Sequence, residues 1–307
     1  MPELPEVEVV RRGLAPRTVG RTITALEVLD ARSLRRQDGG EDRLRALLVG
    51  RSMTAAARRG KFLWWRLAEA DGAESGEALL AHLGMSGQLR LVTPGGPDPQ
   101  RHRRVSLTLD DGARVDFIDQ RLFGGLWSSD LVEAADGRLA ALGSPDALLP
   151  VDAAHIARDL LDPALDLAEV ARTLRGRRRA VKSLLLDQGI VSGIGNIYAD
   201  EALWAARVRY DPPGSALSQR TALALLRAAR AVMERALDVG GTSFDALYVN
   251  AQGEPGYFAR SLAAYGREGE PCRRCGRFIE RAISQGRSSH YCPRCQRSTG
   301  VTRKDAE

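Results

Sequence analysis

The chain has 307 residues, of which 44% are hydrophobic and 27% are charged, and its formal net charge is +6 at pH 7. No apolar run is long enough to cross a bilayer and no signal sequence opens the chain, so we expect a cytoplasmic globular protein, and the length is enough for two domains with their own cores. The positive charge favours a polyanionic partner, although a generally arginine-rich composition explains it equally well.

The first six residues, Met1-Pro2-Glu3-Leu4-Pro5-Glu6, carry the first candidate chemistry. Removal of Met1, expected before a small residue, makes Pro2 the N-terminus. Its secondary amine then titrates at about 8, so an uncharged fraction can attack an electrophilic carbon and form an iminium. Glu3 can supply an acid or base beside that amine. The alternative is a solvated chain start with a helix-initiating proline, which a motif this short does not exclude.

The first half of the chain predicts one helix followed by β structure. The helix runs from Pro5 to about Leu14 and is ended by Pro16. Between Thr22 and Asp119, short apolar and β-branched runs predict strands at Ile23–Leu29, Lys61–Leu67, Ala78–Leu83, Gln88–Val92, Val105–Leu109 and Arg114–Ile118. Asp111-Gly112 predicts a hairpin turn, and Leu44–Leu48 predicts a helix. This half is therefore expected to form a β-sandwich or flattened barrel.

The pattern changes near Gly143-Ser144-Pro145, after which helices are predicted at 152–160, 166–174, 179–187, 195–206 and 218–238. The run 175–179, rich in arginine, is expected to open one of these helices. Residues 240–260 are expected to form a long ordered loop. The sequence thus predicts three domains, over residues 1–143, 144–267 and 268–297.

The four cysteines of the chain, Cys272, Cys275, Cys292 and Cys295, form two C-x2-C pairs separated by 16 residues. This spacing predicts a tetrahedral zinc site with four thiolate ligands. Two disulfides are the alternative, but they require an oxidising compartment. A site closed by four sulfurs has no open coordination position, so one structural zinc ion is expected. His290, beside the second pair, is not needed as a ligand.

The chain resembles the formamidopyrimidine-DNA glycosylase family in a series of short motifs. Each motif is weak evidence alone, but their order along the chain is specific. They are the start MPELPEVE, Arg59-Gly60-Lys61, His82–Gly87 (HLGMSG), Asp119–Gly124 (DQRLFG), Gly193–Tyr198 (GIGNIY), Gly256-Tyr257-Phe258 and the cysteine hairpin. The resemblance implies an α+β fold: an N-terminal β-sandwich with a helix, then a helix–two-turn–helix domain ending in a four-cysteine zinc-finger β-hairpin. It also implies a monomer that binds double-stranded DNA containing oxidised bases or abasic sites.

The resemblance implies four catalytic residues in an enzyme that removes oxidised purines and then cleaves the DNA strand. Pro2 attacks C1′ of the sugar and forms a Schiff base, and Glu3 acts as acid or base in opening the sugar ring. Lys61 protonates leaving groups in β-elimination. Arg287 contacts a phosphate flanking the lesion and assists δ-elimination. For Lys61 and Arg287, the alternative is an ordinary surface cation.

The resemblance also implies DNA-binding residues. Three of them fill the gap left by a flipped nucleotide: Met85, Arg121 and Phe123. Four others hold phosphates: His82, His102, Arg177 and Asn196. The alternative for Met85 and Phe123 is a place in the core. The loop that carries Arg121 departs from a common form of the family, because Gln120 and Leu122 stand where some members have Pro and Arg.

Two other functions remain open at this point. An endonuclease VIII-like glycosylase shares Pro2, Glu3 and the zinc finger but prefers oxidised pyrimidines. A non-catalytic zinc-finger DNA-binding protein would keep the zinc finger and the basic surface without the chemistry. A retained Met1 would support this alternative, because it blocks the amine of Pro2. Within the 240–260 loop, the sequence does not identify the residues that cap the flipped base.

Overall fold

A computed structural model describes residues 2–96, 98, 101–242, 251–252 and 256–297. The chain forms two compact units. The first unit comprises Met1–Arg158 and Ala236–Ala259, and the second comprises Asp159–Arg235 and Arg260–Glu307. The division into three sequence domains remains a prediction, since compact units need not coincide with sequence domains. No helix in the described ranges is both long and apolar enough to span a membrane.

Within the described residues, the first unit contains three complete α-helices and nine strands. The helices are α1 (Leu4–Thr18), α2 (Gly40–Leu48) and α3 (Val151–Ala154), with a 3-10 helix at Ala31–Leu34. The strands are β1 (Ile23–Val28), β2 (Ser52–Arg59), β3 (Phe62–Ala68), β4 (Glu74–His82), β5 (Gly87–Val92), β6 (Arg103–Leu109), β7 (Arg114–Asp119), β8 (Gly125–Glu133) and β9 (Leu148–Pro150).

These strands form two antiparallel sheets, with strand orders β1-β6-β7-β5 and β2-β3-β4-β8-β9. Both sheets and α1 contribute to one buried apolar cluster, which includes Leu107 from β6 and Trp65 from β3. The neighbouring Trp64 belongs to a second cluster, because successive side chains of a strand point to opposite faces. The β-sandwich with an N-terminal helix is thereby confirmed.

Helix α1 is longer than predicted, since Pro16 lies within it and does not end it. The last turn is held by Thr18, whose hydroxyl donates to the Leu14 carbonyl at 3.0 Å and accepts from the Trp65 indole at 2.9 Å. Because Thr18 is fully buried, these bonds stabilise a final turn that the proline alone would disfavour.

The second unit contains most of the remaining helices and the hairpin. Its elements are α4 (Leu167–Arg175), α5 (Val181–Leu185), α6 (Asn196–Ala206), α7 (Gln219–Asp238, whose last three residues belong to the first unit), and strands β10 (Glu280–Ser284) and β11 (Arg287–Tyr291). Two expectations are corrected. The helix predicted at 152–160 is only the single turn of α3, and Arg175 ends α4, so the arginine run connects two helices. Of the predicted 240–260 loop, residues 243–250 and 253–255 lie outside the described residues.

Candidate active site

The N-terminus is held at the start of α1 by two glutamates. The Glu3 amide donates to Glu6 Oε2 at 2.8 Å, and the Glu3 carboxylate accepts from the Glu6 amide, which makes a reciprocal capping box. Both glutamates are about 1% exposed, and Pro2 is buried as well. Pro2 and Glu3, the two residues that the sequence singles out, are therefore both shielded from solvent, and the capping box fixes the position of Glu3.

Glu6 has a second function as an anchor. Its other oxygen, Oε1, accepts from both the amide and the hydroxyl of Thr242, each at 2.8 Å. The preceding Gly241, with φ of +84°, lies so close that a Cβ there would be 3.1 Å from Glu6 Oε1. One carboxylate therefore joins the N-terminus to the segment that leads into residues 243–250.

Lys61 lies in the two-residue turn between β2 and β3. Arg59 pairs with Phe62 across the hairpin, and Gly60 has φ of +57°, the conformation that a tight type II′ turn requires at its first position. The Gly60 carbonyl accepts from Arg58 Nη1 at 3.1 Å. The turn that carries Lys61 is therefore tied to a residue of the sheet.

Arg58 is fully buried, and its charge is compensated by an equally buried carboxylate. Its Nε donates to Glu8 Oε2 at 3.0 Å. Glu8 also accepts from Arg11 at 2.8 Å and from Arg12 at 2.8 Å. Helix α1 and the Lys61 hairpin are thus connected through a single ionic cluster that sequence reasoning did not identify.

His82 lies at the end of β4, where its ring packs on Phe62 with a centroid distance of 4.9 Å. Its Nδ1 accepts from the Gly84 amide at 3.1 Å, so the proton of the neutral ring resides on Nε2. Burial, with the nearby positive charges of Arg36 and Lys61, lowers the pKa of His82 to about 4. At neutral pH His82 is a neutral hydrogen-bond donor.

Met85 and Phe123 are exposed side chains on neighbouring turns. Their exposed fractions are 42% and 49%, which excludes a place in the core for either. The guanidinium of Arg121 lies over the Phe123 ring, 5.0 Å from its centroid. The two turns touch through their main chains, because a Cβ on Gly84 would lie 2.5 Å from the Gly124 nitrogen.

Two further predicted phosphate ligands are His102 and Arg177. His102 has φ of +62° and accepts from Arg101 Nε at 3.1 Å, and its carbonyl accepts from the Asp119 amide. Arg177 is exposed and lies between α4 and α5. Each belongs to a different unit, and each presents a polar side chain near the surface.

In the second unit, Asn196 is the first residue of α6. Its Nδ2 donates to the Ser288 hydroxyl at 3.4 Å, whereas its Oδ1 is buried and accepts no hydrogen bond from the described residues. The preceding Gly195 is extended and provides no side-chain cap. The amides of a helix N-terminus and an adjacent side-chain amide form a suitable phosphate site.

Arg287 is exposed at the tip of the β10–β11 hairpin. Gln285 and Gly286 form the two-residue turn, with φ of +50° and +73°, as a type I′ turn requires. Arg287 also borders a cleft of about 280 Å³ that is lined by Ser183 of α5. Ser183 donates to Gln285 at 2.6 Å, which ties the hairpin turn to that helix.

A buried ion pair fixes β11 to α5 and α6. Lys182 Nζ lies 2.6 Å from Asp200 Oδ1, and it also donates to the Ser288 carbonyl at 2.6 Å and the Ser289 hydroxyl at 3.0 Å. Asp200 accepts further from the amide of His290 at 2.8 Å. Lys182 thus supports the hairpin from within.

The four cysteines converge at the base of the same hairpin. Their sulfur atoms all lie within 4.8 Å of one another, and the Sγ atoms of Cys275 and Cys292 are 3.5 Å apart. That separation is far longer than a disulfide bond of roughly 2.05 Å and close to the roughly 3.8 Å expected between thiolates around one zinc ion. The Cys295 amide and the Trp204 indole point at sulfurs, as thiolate ligands require. The residues therefore fit one structural zinc ion.

Family sequence models match three parts of the chain. Residues 1–126 match the formamidopyrimidine-DNA glycosylase N-terminal domain, and residues 156–247 match the H2TH domain of the same glycosylase. Residues 269–297 match the zinc finger found in FPG and IleRS.

Curated relatives match over nearly their full length. The formamidopyrimidine-DNA glycosylase of Leifsonia xyli subsp. xyli is 52% identical over 301 residues, covering 97% of this chain and 100% of the relative. The protein of the same name from Mycobacteroides abscessus is 50% identical over 297 residues, covering 97% and 98%.

Solved structures show the same architecture. The MutM (Fpg) protein of Thermus thermophilus is 38% identical with a TM-score of 0.76, covering 96% of this chain and 98% of that one. A Lactococcus lactis FPG mutant in complex with Fapy-dG-containing DNA is 28% identical with a TM-score of 0.78, covering 96% and 100%.

Proposed function

The chain belongs to the formamidopyrimidine-DNA glycosylase family, and we propose from this premise that Pro2, Glu3, Lys61 and Arg287 are its catalytic residues. The protein is a base-excision repair glycosylase with AP lyase activity, and its partner is DNA that contains damaged bases or abasic sites. Oxidised purines are the lesions that it removes preferentially. The observation that supports the proposal is the reciprocal capping of Glu3 and Glu6, which fixes the main chain of Glu3 directly after Pro2.

The reaction starts when the damaged nucleotide leaves the helix, because C1′ and the base are inaccessible within a stacked duplex. The nitrogen of Pro2 attacks C1′ and the bond to the base breaks. When the C1′–O4′ bond then opens and O4′ takes a proton, the iminium that forms links protein and DNA. Glu3, buried beside the amine, transfers the proton needed to open the sugar ring. A desolvated site favours the uncharged amine that this attack requires.

Strand cleavage follows from the same intermediate. Lys61 protonates the leaving groups of β-elimination, and its turn is held by the bond from Arg58 to Gly60. Arg287 binds the phosphate next to the lesion and assists δ-elimination, for which a planar guanidinium is well suited. The one structural zinc ion stabilises the hairpin that presents Arg287 and takes no part in the chemistry.

The space left by the flipped nucleotide is filled by Met85 and Phe123, while Arg121 hydrogen-bonds the unpaired cytosine. Support comes from their exposure, since an apolar side chain that is half exposed can enter a base step. His82, His102, Arg177 and Asn196 hold backbone phosphates. For Asn196, this role is supported by its place at the N-terminus of α6. For His82, it is supported by the neutral ring, whose Nε2–H can donate a hydrogen bond.

Borohydride trapping tests the nucleophile. The protein is mixed with a duplex carrying 8-oxoguanine opposite cytosine, reduced with borohydride and digested, and the DNA-linked peptide is identified by mass spectrometry. We expect the adduct on the N-terminal peptide. The assignment is sharp because the chain has only three lysines, Lys61, Lys182 and Lys304. An adduct on Lys61 would overturn the role given to Pro2.

A matched variant separates the two steps. Lys61→Ala should still be trapped on DNA, because attack by Pro2 does not need the lysine, while release of the cleaved strand slows. Equal loss of trapping and cleavage would argue against separate roles. Intact-mass measurement also shows whether Met1 is removed, and a retained methionine with no trapping would favour the non-catalytic DNA-binding function.

Lesion preference distinguishes the remaining rival. Faster excision of thymine glycol than of 8-oxoguanine would move the protein to the endonuclease VIII-like function. We also propose that the protein acts on the nucleoid in the cytoplasm, since chromosomal DNA is its substrate. Imaging of a tagged, active protein would test this, and a signal away from the DNA would contradict it.

A further inference from the structure

The loop between β7 and β8, residues 120–124, carries Arg121 and Phe123 on a strained main chain. Leu122 has φ of +57°, in the left-handed region. A leucine has no short polar side chain to stabilise this conformation by a local hydrogen bond, unlike asparagine or aspartate. The loop also lacks a proline, having Gln120 after Asp119. Its conformation must therefore be imposed by groups outside the loop.

Arg35 supplies such a group. Its Nη1 donates to the carbonyls of Leu122 at 2.8 Å and Gly124 at 2.9 Å. Its Nη2 donates to the carbonyl of Phe123 at 2.6 Å. One guanidinium thus binds three consecutive main-chain carbonyls, which a planar fork of donors permits and a lysine ammonium does not reproduce.

The segment that carries Arg35 is itself fixed to the sheet. Ser33 and Leu34, the last two residues of the 3-10 helix, are buried. The main chains approach closely here, because a Cβ on Gly125 would lie 2.7 Å from the Ser33 carbonyl. Arg35 therefore reaches the loop from a rigid base.

The amide side of the loop is held by a different residue. The carboxylate of Asp119, fully buried, accepts from the Arg121 amide at 3.1 Å and from the Gly124 amide at 2.8 Å. Asp119 therefore holds N–H groups of the loop, and Arg35 holds its carbonyls. Every hydrogen bond recorded for Arg35 in the described residues goes to the main chain of this loop.

We propose that Arg35 is the positioning residue for reading the base opposite the lesion: by clamping the carbonyls of 122–124 it holds Arg121 and Phe123 in the conformation that discriminates cytosine from adenine. The inference rests on the proposed function, since it concerns the same recognition step. Arg35 acts through Arg121 and does not itself contact the reacting atoms. Loss of the clamp lets Leu122 relax, and Arg121 then no longer meets the cytosine acceptors in one fixed geometry.

The test compares Arg35→Ala and Arg35→Lys with Arg32→Ala. Arg32 is a matched control, because it lies three residues away, is 73% exposed and pairs only with Asp30 among the described side chains. Single-turnover excision of 8-oxoguanine is measured opposite cytosine and opposite adenine. In both Arg35 variants we expect the rate opposite cytosine to fall about tenfold and the rate opposite adenine about twofold at most, as the loss of one positioned hydrogen-bonding group implies. Arg32→Ala should keep the wild-type ratio.

A double variant shows whether the effect passes through Arg121. Arg35→Ala added to Arg121→Ala should leave the cytosine-to-adenine ratio where Arg121→Ala puts it, because coupled residues are non-additive. Equal loss of rate opposite both bases would overturn the inference. If the slope of log DNA affinity against log salt concentration also became shallower by about one unit, this loss would identify Arg35 as a phosphate contact.

Hydrogen exchange on the free protein gives a measurement that needs no activity. Amides of 121–124 should exchange faster in both Arg35 variants, while those of 58–63 keep their wild-type protection. Unchanged exchange in 121–124 would overturn the clamp even if the rates change. A wild-type protein that fails to excise 8-oxoguanine would instead refute the proposed function, and the exchange result would still decide whether Arg35 holds the loop.

Discussion

Arg58 and Glu8 form an ion pair with an Nε–Oε2 distance of 3.0 Å, and neither side chain is exposed to solvent. Burial raises the pKa of Glu8, but the hydrogen bond from Arg11 and the charge of Arg58 outweigh it and lower the pKa to about 2. Glu8 is therefore ionised throughout the physiological range. The pair connects the helix behind Pro2 with the hairpin that carries Lys61.

Replacing Glu8 by glutamine should destabilise the protein strongly, because it removes the buried carboxylate that pairs with the buried guanidinium of Arg58. Removal of one partner from a buried pair costs about 3–5 kcal/mol of unfolding free energy. Chemical denaturation at pH 7 measures the loss. Glu41→Gln is the control, since the Glu41–Arg45 pair is exposed and is worth about 0–1 kcal/mol. Equal effects of the two substitutions would contradict the importance of burial.

The lowered pKa of Glu8 also predicts how the stability difference between wild type and Glu8→Gln depends on pH. A carboxyl whose folded pKa is lowered stabilises the protein above its unfolded pKa of about 4.5 and loses that contribution as pH falls towards 2. The stability difference between wild type and Glu8→Gln should therefore be constant above about pH 5 and shrink below it. A difference that grows on acidification would be inconsistent with the lowered pKa.

His82 should show no titration between pH 5.5 and 8 in the free protein, as followed by NMR of its Cε1–H signal. Its folded pKa is about 4 against an unfolded value of about 6.5, so protonation favours the unfolded state. Stability is complete above about pH 6.5 and is lost as pH falls from there to about 4, by roughly 3 kcal/mol. In His82→Asn, which keeps an acceptor for the Gly84 amide, this part of the pH dependence should disappear.

Asp200→Asn should weaken the attachment of the hairpin without releasing its metal. The substitution removes the charge that compensates buried Lys182, and we expect a loss of about 3–5 kcal/mol in unfolding free energy. Zinc content, measured colorimetrically after denaturation, should stay at one ion per chain. Asp211→Asn is a suitable control, because its partner Arg209 and its own carboxylate are both partly exposed. Loss of zinc in Asp200→Asn would show that the hairpin and the metal site are inseparable.

Cys292→Ala should release the metal and abolish DNA binding, since three thiolates cannot close the tetrahedral site and Arg287 then loses its support. The first unit should remain folded, because its core contains no residue of the hairpin. Metal analysis and binding to a duplex with an abasic-site analogue check both points. A zinc-free protein with full DNA affinity would refute the structural role of the metal.

Arg121→Ala should reduce the preference for cytosine opposite 8-oxoguanine. Cytosine presents acceptors, O2 and N3, to a guanidinium, whereas adenine leaves part of it unpaired. An unpaired buried donor costs about 1–3 kcal/mol, which corresponds to roughly tenfold to hundredfold discrimination. Excision rates opposite all four bases measure the preference. An unchanged ratio in Arg121→Ala would remove this residue from opposite-base recognition.

The sequence predicted the strands that contain short apolar or β-branched runs, and it missed β2, β8 and β9. All six predicted strands of the first half exist, with ends shifted by a few residues. β2, with the sequence SMTAAARR, has few β-branched residues, and it is a strand because it pairs with β3. The short strand that ends at Pro150 has only three residues, too few to show a period. Pairing with a neighbour, which a single sequence does not contain, decides such elements.

The candidate site shows the same division. Pro2, Glu3, Lys61 and Arg287 could be proposed from the sequence, because each stands in a motif that resembles the family's. Arg35 and the Glu8–Arg58 pair could not, because their importance depends on partners that are distant along the chain. Lys182, which follows the arginine-rich run 175–179, is likewise explained only by the fold, since it is 4% exposed and pairs with Asp200.

The two tight hairpin turns, Gly60-Lys61 and Gln285-Gly286, limit how the length of this protein can vary. A two-residue turn has no room for an extra residue, and a shift of register by one would turn every following side chain to the opposite face of its strand. Insertions at these points would therefore misplace Lys61 or Arg287 even if the strands still paired. The exposed turn at Asp71-Gly72 carries no such constraint, and length changes, affinity tags or fluorescent labels are best tolerated there.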